Sequence, residues 1–201
     1  MNLNLDTTKL SWPDETTRVF RAGGTIWSLA WNPTTPTQWH LYAQGYHDAA
    51  EQLYASWQAT RGCPDYLIFP MVFLYRHYVE LRLKELIQSA ASLLSIPTGW
   101  PAIHDLDHLW CIVRPRLTEI SPKEPTRDIH NVTRLITELS SLDHRSFAFR
   151  YPADKNENST TSNLEHLDVD NFFHAMRQLA TFLDGASMQI SVYLDEQGNL
   201  Q

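Results

Sequence analysis

Apolar residues recur along most of this chain at steps of three and four, the spacing that places side chains on one face of an α-helix. Between Trp39 and Trp57 the positions Tyr42, Tyr46, Ala49, Ala50, Leu53 and Trp57 keep that spacing, which predicts an amphipathic helix closed off over 62–65. A longer helix is expected from Tyr66 or Pro70 to Leu94, with Pro70 tolerated in a first turn that needs no amide donor there. The run Ile96-Pro97-Thr98-Gly99-Trp100-Pro101 breaks it. A short helix is expected from His104 to about Val113, stopped by Pro115. Another is expected from about Arg127 to Leu142, with Ile129, Val132, Leu135, Ile136 and Leu139 as its apolar stripe. A last helix starts near Asp168, a residue type suited to an N-cap, and buries Val169, Phe172, Phe173, Met176, Leu179, Ala180 and Leu183. Gly185 either ends it or interrupts it.

Helix follows helix with no convincing run of strands, so the expected fold is all-α: an antiparallel four- to five-helix bundle over residues 39–194. Residues 1–38 carry three prolines, a Gly23-Gly24 pair and three tryptophans, the make-up of an irregular ordered arm, with short strands expected at 18–20 and 25–29. Residues 152–166, rich in Asn, Ser, Thr and charge, are expected to form a mobile loop, and 195–201 a tail.

Composition narrows the functional classes. The chain has 201 residues, 43% of them hydrophobic and 19% charged, enough to bury one core without a staple. Its two cysteines, Cys63 and Cys111, fit no metal spacing or redox pair, so a reduced, cytoplasmic protein is expected. No stretch is long and apolar enough to span a membrane, and no secretory leader is expected, because Asp6 precedes Lys9 without a long apolar run. The formal charge of −7 argues against broad phosphate neutralisation as the main source of affinity. A local anion site remains compatible with it, since 12 of the 16 basic residues are arginines, whose planar fork suits phosphate or carboxylate. Phosphate-loop, Gly-x-Ser-x-Gly and paired-cysteine motifs are all missing, so no cofactor and no metal are expected.

The candidate chemistry lies on the long central helix. Arg76, Glu80 and Lys84 fall on successive turns, with His77 and Gln88 at the edge, while nearly every other position is apolar. So narrow a polar stripe faces inward, toward a cleft, a subunit interface or a network of fixed partners; ion pairs along a solvated strip are the simpler reading. Beyond the proline break, His104-Asp105-Leu106-Asp107-His108 places two histidines four apart. That spacing suits a shared metal, and the His104-Asp105 pair is also the dyad of HD-type phosphohydrolases, with His77 and Asp168 as loose further ligands. The structural reading makes Asp105 a helix cap and gives His104 a neighbouring helix to bond to. Phe149-Arg150-Tyr151-Pro152 sets an arginine between aromatic residues, suited to a ligand or to pinning the following loop.

The core Leu74-x-Arg76-His77-x-x-Glu80-Leu81-x-Leu83-Lys84, then His104-Asp105-Leu106 and Leu109-Trp110, together with Phe149-Arg150-Tyr151-Pro152, resembles the HEPN superfamily of helical-bundle proteins over roughly residues 40–190. The resemblance implies a homodimer and a bacterial toxin–antitoxin, phage-defence or RNA-processing setting, with RNA, a nucleotide or a cognate protein as partner. Active members are metal-independent endoribonucleases with an arginine followed, after four to six residues, by a histidine. None of the twelve arginines here has that spacing. The resemblance therefore implies a binding bundle, with a rearranged ribonuclease as the alternative and an HD-type metal-dependent phosphohydrolase as a lesser one. The candidate catalytic residues are Arg76, His77 and His104; the candidate binding residues are Glu80, Lys84, Asp105, Arg150 and Tyr151.

Overall fold

The computed structural model describes residues 12–20, 30, 38–60, 65–97, 99, 101–123, 126–143, 146–162 and 164–199. Five helices make up its regular structure: α1 (Trp39–Thr60), α2 (Ile68–Leu93), α3 (Leu106–Ile120), α4 (Thr126–Leu142) and α5 (Val169–Asn199). The chain divides into two units, 1–35 and 36–201. In the first, Asp14 organises a turn by accepting from the Thr16 and Thr17 amides at 2.8 and 3.0 Å. Residues 18–20 form no strand; the strand expected at 25–29 lies outside the described residues.

The second unit is an all-α bundle built around α2, which packs against α1, α3 and α5. Fifteen of its 26 residues are buried, four of them charged, so its burial runs most of the way round, as a central helix requires. Pro70 sits in its first turn. The hairpin α1–α2 is antiparallel, and so is α3–α4, where Asp107 meets Thr137 and Trp110 meets Thr133. In contrast α3 runs alongside α2 in the same direction, with His104 at Glu80 and Arg116 at Ile87. Helix α5 does likewise, from Tyr75 beside Phe173 to Leu93 beside Gln197. The first follows from the connection after α2, because α3 begins beside His104 back at Arg76 and Glu80; α4 then returns antiparallel to α3, so Asp143 already lies at Arg76 and α5 starts from that same end.

Two helices outrun the expectation. Helix α3 continues through Pro115 to Ile120. The carbonyl that loses its partner belongs to Cys111, on the exposed side, while buried Val113 and Leu117 hold the helix to the core. Helix α5 passes through Gly185 and includes most of the expected tail, because Ser187 and Ile190 remain buried beyond the glycine. On α1 the buried positions are Ala43, Ala50 and Tyr54, whereas Tyr42 is exposed. Asp168 caps α5 by accepting from the Asn171 amide at 2.9 Å, as its position in the sequence suggests. The polar segment after Pro152 holds a bridge between Ala153 and Ser159, closed by Asp154 accepting from the Asn156 and Asn158 amides.

Candidate functional site

The three charged residues of α2 face the interior: Arg76 is 0% exposed, Glu80 1% and Lys84 4%. Charges so deep persist only if each finds opposite charge and hydrogen bonds. Here they form one string. Glu80 Oε2 lies 2.5 Å from Arg76 Nη1, and its Oε1 lies 2.9 Å from Lys84 Nζ. Arg76 also donates from Nε to the Asp143 carbonyl at 3.3 Å and from Nη2 to the His104 carbonyl. The buried Asp143 carboxylate lies 3.8 Å from Arg76 Nε through Oδ2. Burial opposes ionisation of Glu80, yet the hydrogen bond and charge of Lys84, the charge of Arg76 and the His104 contact outweigh it and hold its pKa below the ordinary value.

His104 lies at the outer edge of this string. Its Nδ1 is 2.7 Å from Glu80 Oε1, while 66% of its side chain is exposed. The connection that carries it crosses the polar stripe, with Gln88 donating to the Gly99 carbonyl at 3.1 Å. Asp105 caps α3 by accepting from the His108 amide at 3.0 Å, and Asp107 accepts from Thr137 at 2.7 Å. Among the described residues no three His, Cys, Asp or Glu side chains gather closely enough to hold a metal ion. The metal readings of His104–His108 and of the HD dyad thus have no ligand set there.

His77 follows Arg76 in sequence but faces another wall. Its ring packs edge-on to Tyr46 of α1 at 4.4 Å and stacks on Phe73 at 5.8 Å. Burial there lowers its pKa. Of the three candidate catalytic residues, Arg76 and His104 therefore share a network, and His77 does not join it by any hydrogen bond.

The Phe73 ring also carries Arg150, whose guanidinium carbon lies 5.7 Å from its centroid and 5.7 Å from that of Tyr151. Tyr151 packs in turn on Phe147 at 4.6 Å. Arg150 and Tyr151 border a cleft of about 380 Å³ between the start of α2 and the 148–161 segment, walled also by Phe69, Phe149 and Thr160. Phe149 forms its buried floor, whereas Phe69 is 45% and Tyr151 49% exposed. A second hollow of about 310 Å³ shares Phe69, Phe149 and Thr161 and adds Asp65, Glu165 and His166. The Asp143 carboxylate braces this loop: Oδ1 accepts from the Phe147 and Ala148 amides at 2.6 and 3.0 Å.

Asp143, Phe69, Phe73 and Tyr46 are absent from the sequence-based site. Phe69, Phe73 and His77 do stand four apart on one face of α2, a signal that points to a shared aromatic wall. Asp143 gave no such sign beyond following the last apolar position of α4.

Two further polar networks tie the helices together. Arg177 of α5 grips Glu51 of α1, with Nη2 to Oε2 at 2.6 Å, and Tyr75 donates to the same carboxylate. Arg82 lies 2.5 Å from Glu85 and 2.9 Å from Asp184, which also accepts from Tyr78 at 2.7 Å.

Among the described residues no helix is long and apolar enough to cross a membrane. Comparisons with family models, curated proteins and solved structures gave no match, so the likeness to the HEPN superfamily rests on the residues quoted above.

Proposed function

We propose that this chain is a HEPN-like binding bundle rather than a nuclease, and that it holds an RNA segment or a nucleotide at the cleft beside Arg150 and Tyr151. The observation that carries this reading is Arg150 itself, an exposed residue whose guanidinium donates through Nε to the Ser146 carbonyl and lies against two aromatic rings beside an open cleft. Aromatic faces take stacked bases without regard to sequence. An arginine beside them meets the phosphate. A contact of this kind neutralises few phosphates, in keeping with an acidic chain. The hollow beyond Phe69 adds the carboxylates of Asp65 and Glu165, acceptors suited to the amino groups of a base. A toxin–antitoxin, phage-defence or RNA-processing setting, a homodimer and a cognate protein partner follow from the family likeness alone.

Support for binding over cleavage comes from Arg76. It is 0% exposed, and each of its three nitrogens already donates to Asp143, Glu80 or His104, which withholds it from a transition state at the surface. One observation favours the alternative, a metal-independent endoribonuclease with a rearranged site. The His104 ring is held through Nδ1 by a buried carboxylate and is otherwise largely exposed, the arrangement by which a carboxylate orients an imidazole base.

Incubation of the purified protein with end-labelled single-stranded RNA, with and without EDTA, separates the two readings. The binding reading expects retention of RNA without cleavage in either condition. Cleavage that survives EDTA and is lost in His104→Ala establishes the alternative.

A further inference from the structure

At the opposite end of the bundle, the end of α3, the start of α4 and the second half of α5 enclose a groove of about 630 Å³. Its walls are mainly apolar, among them Ile120, Ile129, Phe182, Ala186 and Ile190. Gly185 and Ala186 leave room on α5; a side chain built at Gly185 meets no atom within 4 Å of its Cβ. One end is polar: Ser121 donates to Gln189 at 3.2 Å, and Gln189 donates to the Tyr193 hydroxyl at 3.2 Å. Tyr193 accepts in that contact and keeps its own proton to offer.

We infer that this groove is a binding site for a small neutral molecule, with an apolar body along Phe182, Ala186 and Ile190 and one hydrogen-bonding head at Gln189 and Tyr193. The size falls within the roughly 300–1,000 Å³ range of small-molecule sites. A second copy of the chain is a poor fit. Met188 and Val192 are the only large apolar side chains of the lining that stand well exposed, at 71% and 48%, whereas a stable pair of proteins buries about 800 Å² on each partner. Charge sets the head group. Among the described residues of the lining Asp128 is the one formally charged side chain, with no lysine or arginine, so an anionic head would meet a carboxylate and no cation there. An alcohol or amide head suits Tyr193 and Gln189.

The test is titration of the full chain with the neutral dye Nile red, followed by displacement with 1-dodecanol or dodecanoate. Saturable binding is expected, with dodecanoate needing at least about tenfold more ligand than dodecanol to displace the dye. Gly185→Leu fills open space and replaces a poor helix former, so its circular dichroism is expected to match the wild type while dye affinity falls by at least about tenfold. Tyr193→Phe is expected to weaken dodecanol several-fold and leave Nile red unaffected. Unchanged dye affinity in Gly185→Leu overturns the site, and equal displacement by dodecanoate overturns the neutral head. A sedimentation shift from dimer to monomer in Gly185→Leu overturns the small-molecule occupant in favour of a second copy.

Discussion

Arg76 and Asp143 meet in the interior although 67 positions separate them. The guanidinium takes the Asp143 carbonyl at 3.3 Å and lies 3.8 Å from its Oδ2, while Oδ1 holds the Phe147 and Ala148 amides. The buried string of α2 is thereby fastened to the loop that carries Arg150 and Tyr151. Removing Arg76 strips Asp143 of its counter-charge and leaves Glu80 with Lys84 as its remaining cation on α2; breaking a buried pair typically costs about 3–5 kcal/mol. Arg76→Ala is expected to lose that much in urea unfolding and to show proteolytic cleavage between 143 and 152 earlier than the wild type. A loss below about 1 kcal/mol contradicts a buried, fully paired arginine.

Acid sensitivity should arrive in two stages. His77 has a folded pKa below its ordinary 6.5, so the unfolded chain takes up its proton first; this contribution is complete above pH 6.5 and declines as pH falls toward the folded value. Glu80 and Glu51 are also held below their ordinary 4.5, so their contribution is lost below that pH. Thermal melts of His77→Gln are expected to flatten the first decline and keep the second. A wild-type melting temperature that does not change between pH 7.5 and 5.5 counts against the burial of His77.

Pro115 gives a prediction with the opposite sign. It lies inside α3 on an exposed face, and Pro115→Ala restores a helical amide donor that can reach Cys111. The expected gain is about 1–2 kcal/mol, smaller than the intrinsic helix penalty of proline because the unfolded chain also gains freedom. A fall in melting temperature on this change means that the helix ends before residue 115.

The sequence makes the helices legible because each buries a stripe at a regular step, and the narrow polar stripe of α2 announces a helix with neighbours on every side. Helix direction was less legible. Nothing in the periodicity of 94–105 tells that the chain returns to the starting end of α2 before α3 begins, and that return sets α3 parallel to α2; α5 is parallel because α4 has run back by then. The pairing of Arg76 with His77 failed for a plainer reason: adjacent positions on a helix point about 100° apart, so one joins the ion string and the other joins Tyr46 and Phe73. Arg150 and Tyr151 are visible as an arginine among aromatic residues, but Phe73, the other ring against Arg150, lies 77 positions away, beyond the reach of any local pattern.

The Asp184 link between α2 and α5 should be felt in stability and not in ligand binding. Asp184→Ala leaves Tyr78 without its acceptor and Arg82 with Glu85 alone, and the expected cost is about 1–3 kcal/mol. Equilibrium unfolding measures the cost, and an RNA titration below the new midpoint checks that affinity is unchanged.

The most direct measurement is fluorescence anisotropy of a labelled single-stranded oligoribonucleotide with the wild type, Arg150→Ala and Tyr151→Ala. Both residues are exposed and lie outside the helices, so each variant is expected to keep its helical circular dichroism. Saturable wild-type binding that weakens about tenfold or more in each variant is the predicted result. Affinity that is absent in the wild type, or that survives both substitutions unchanged, contradicts a ligand site at this cleft.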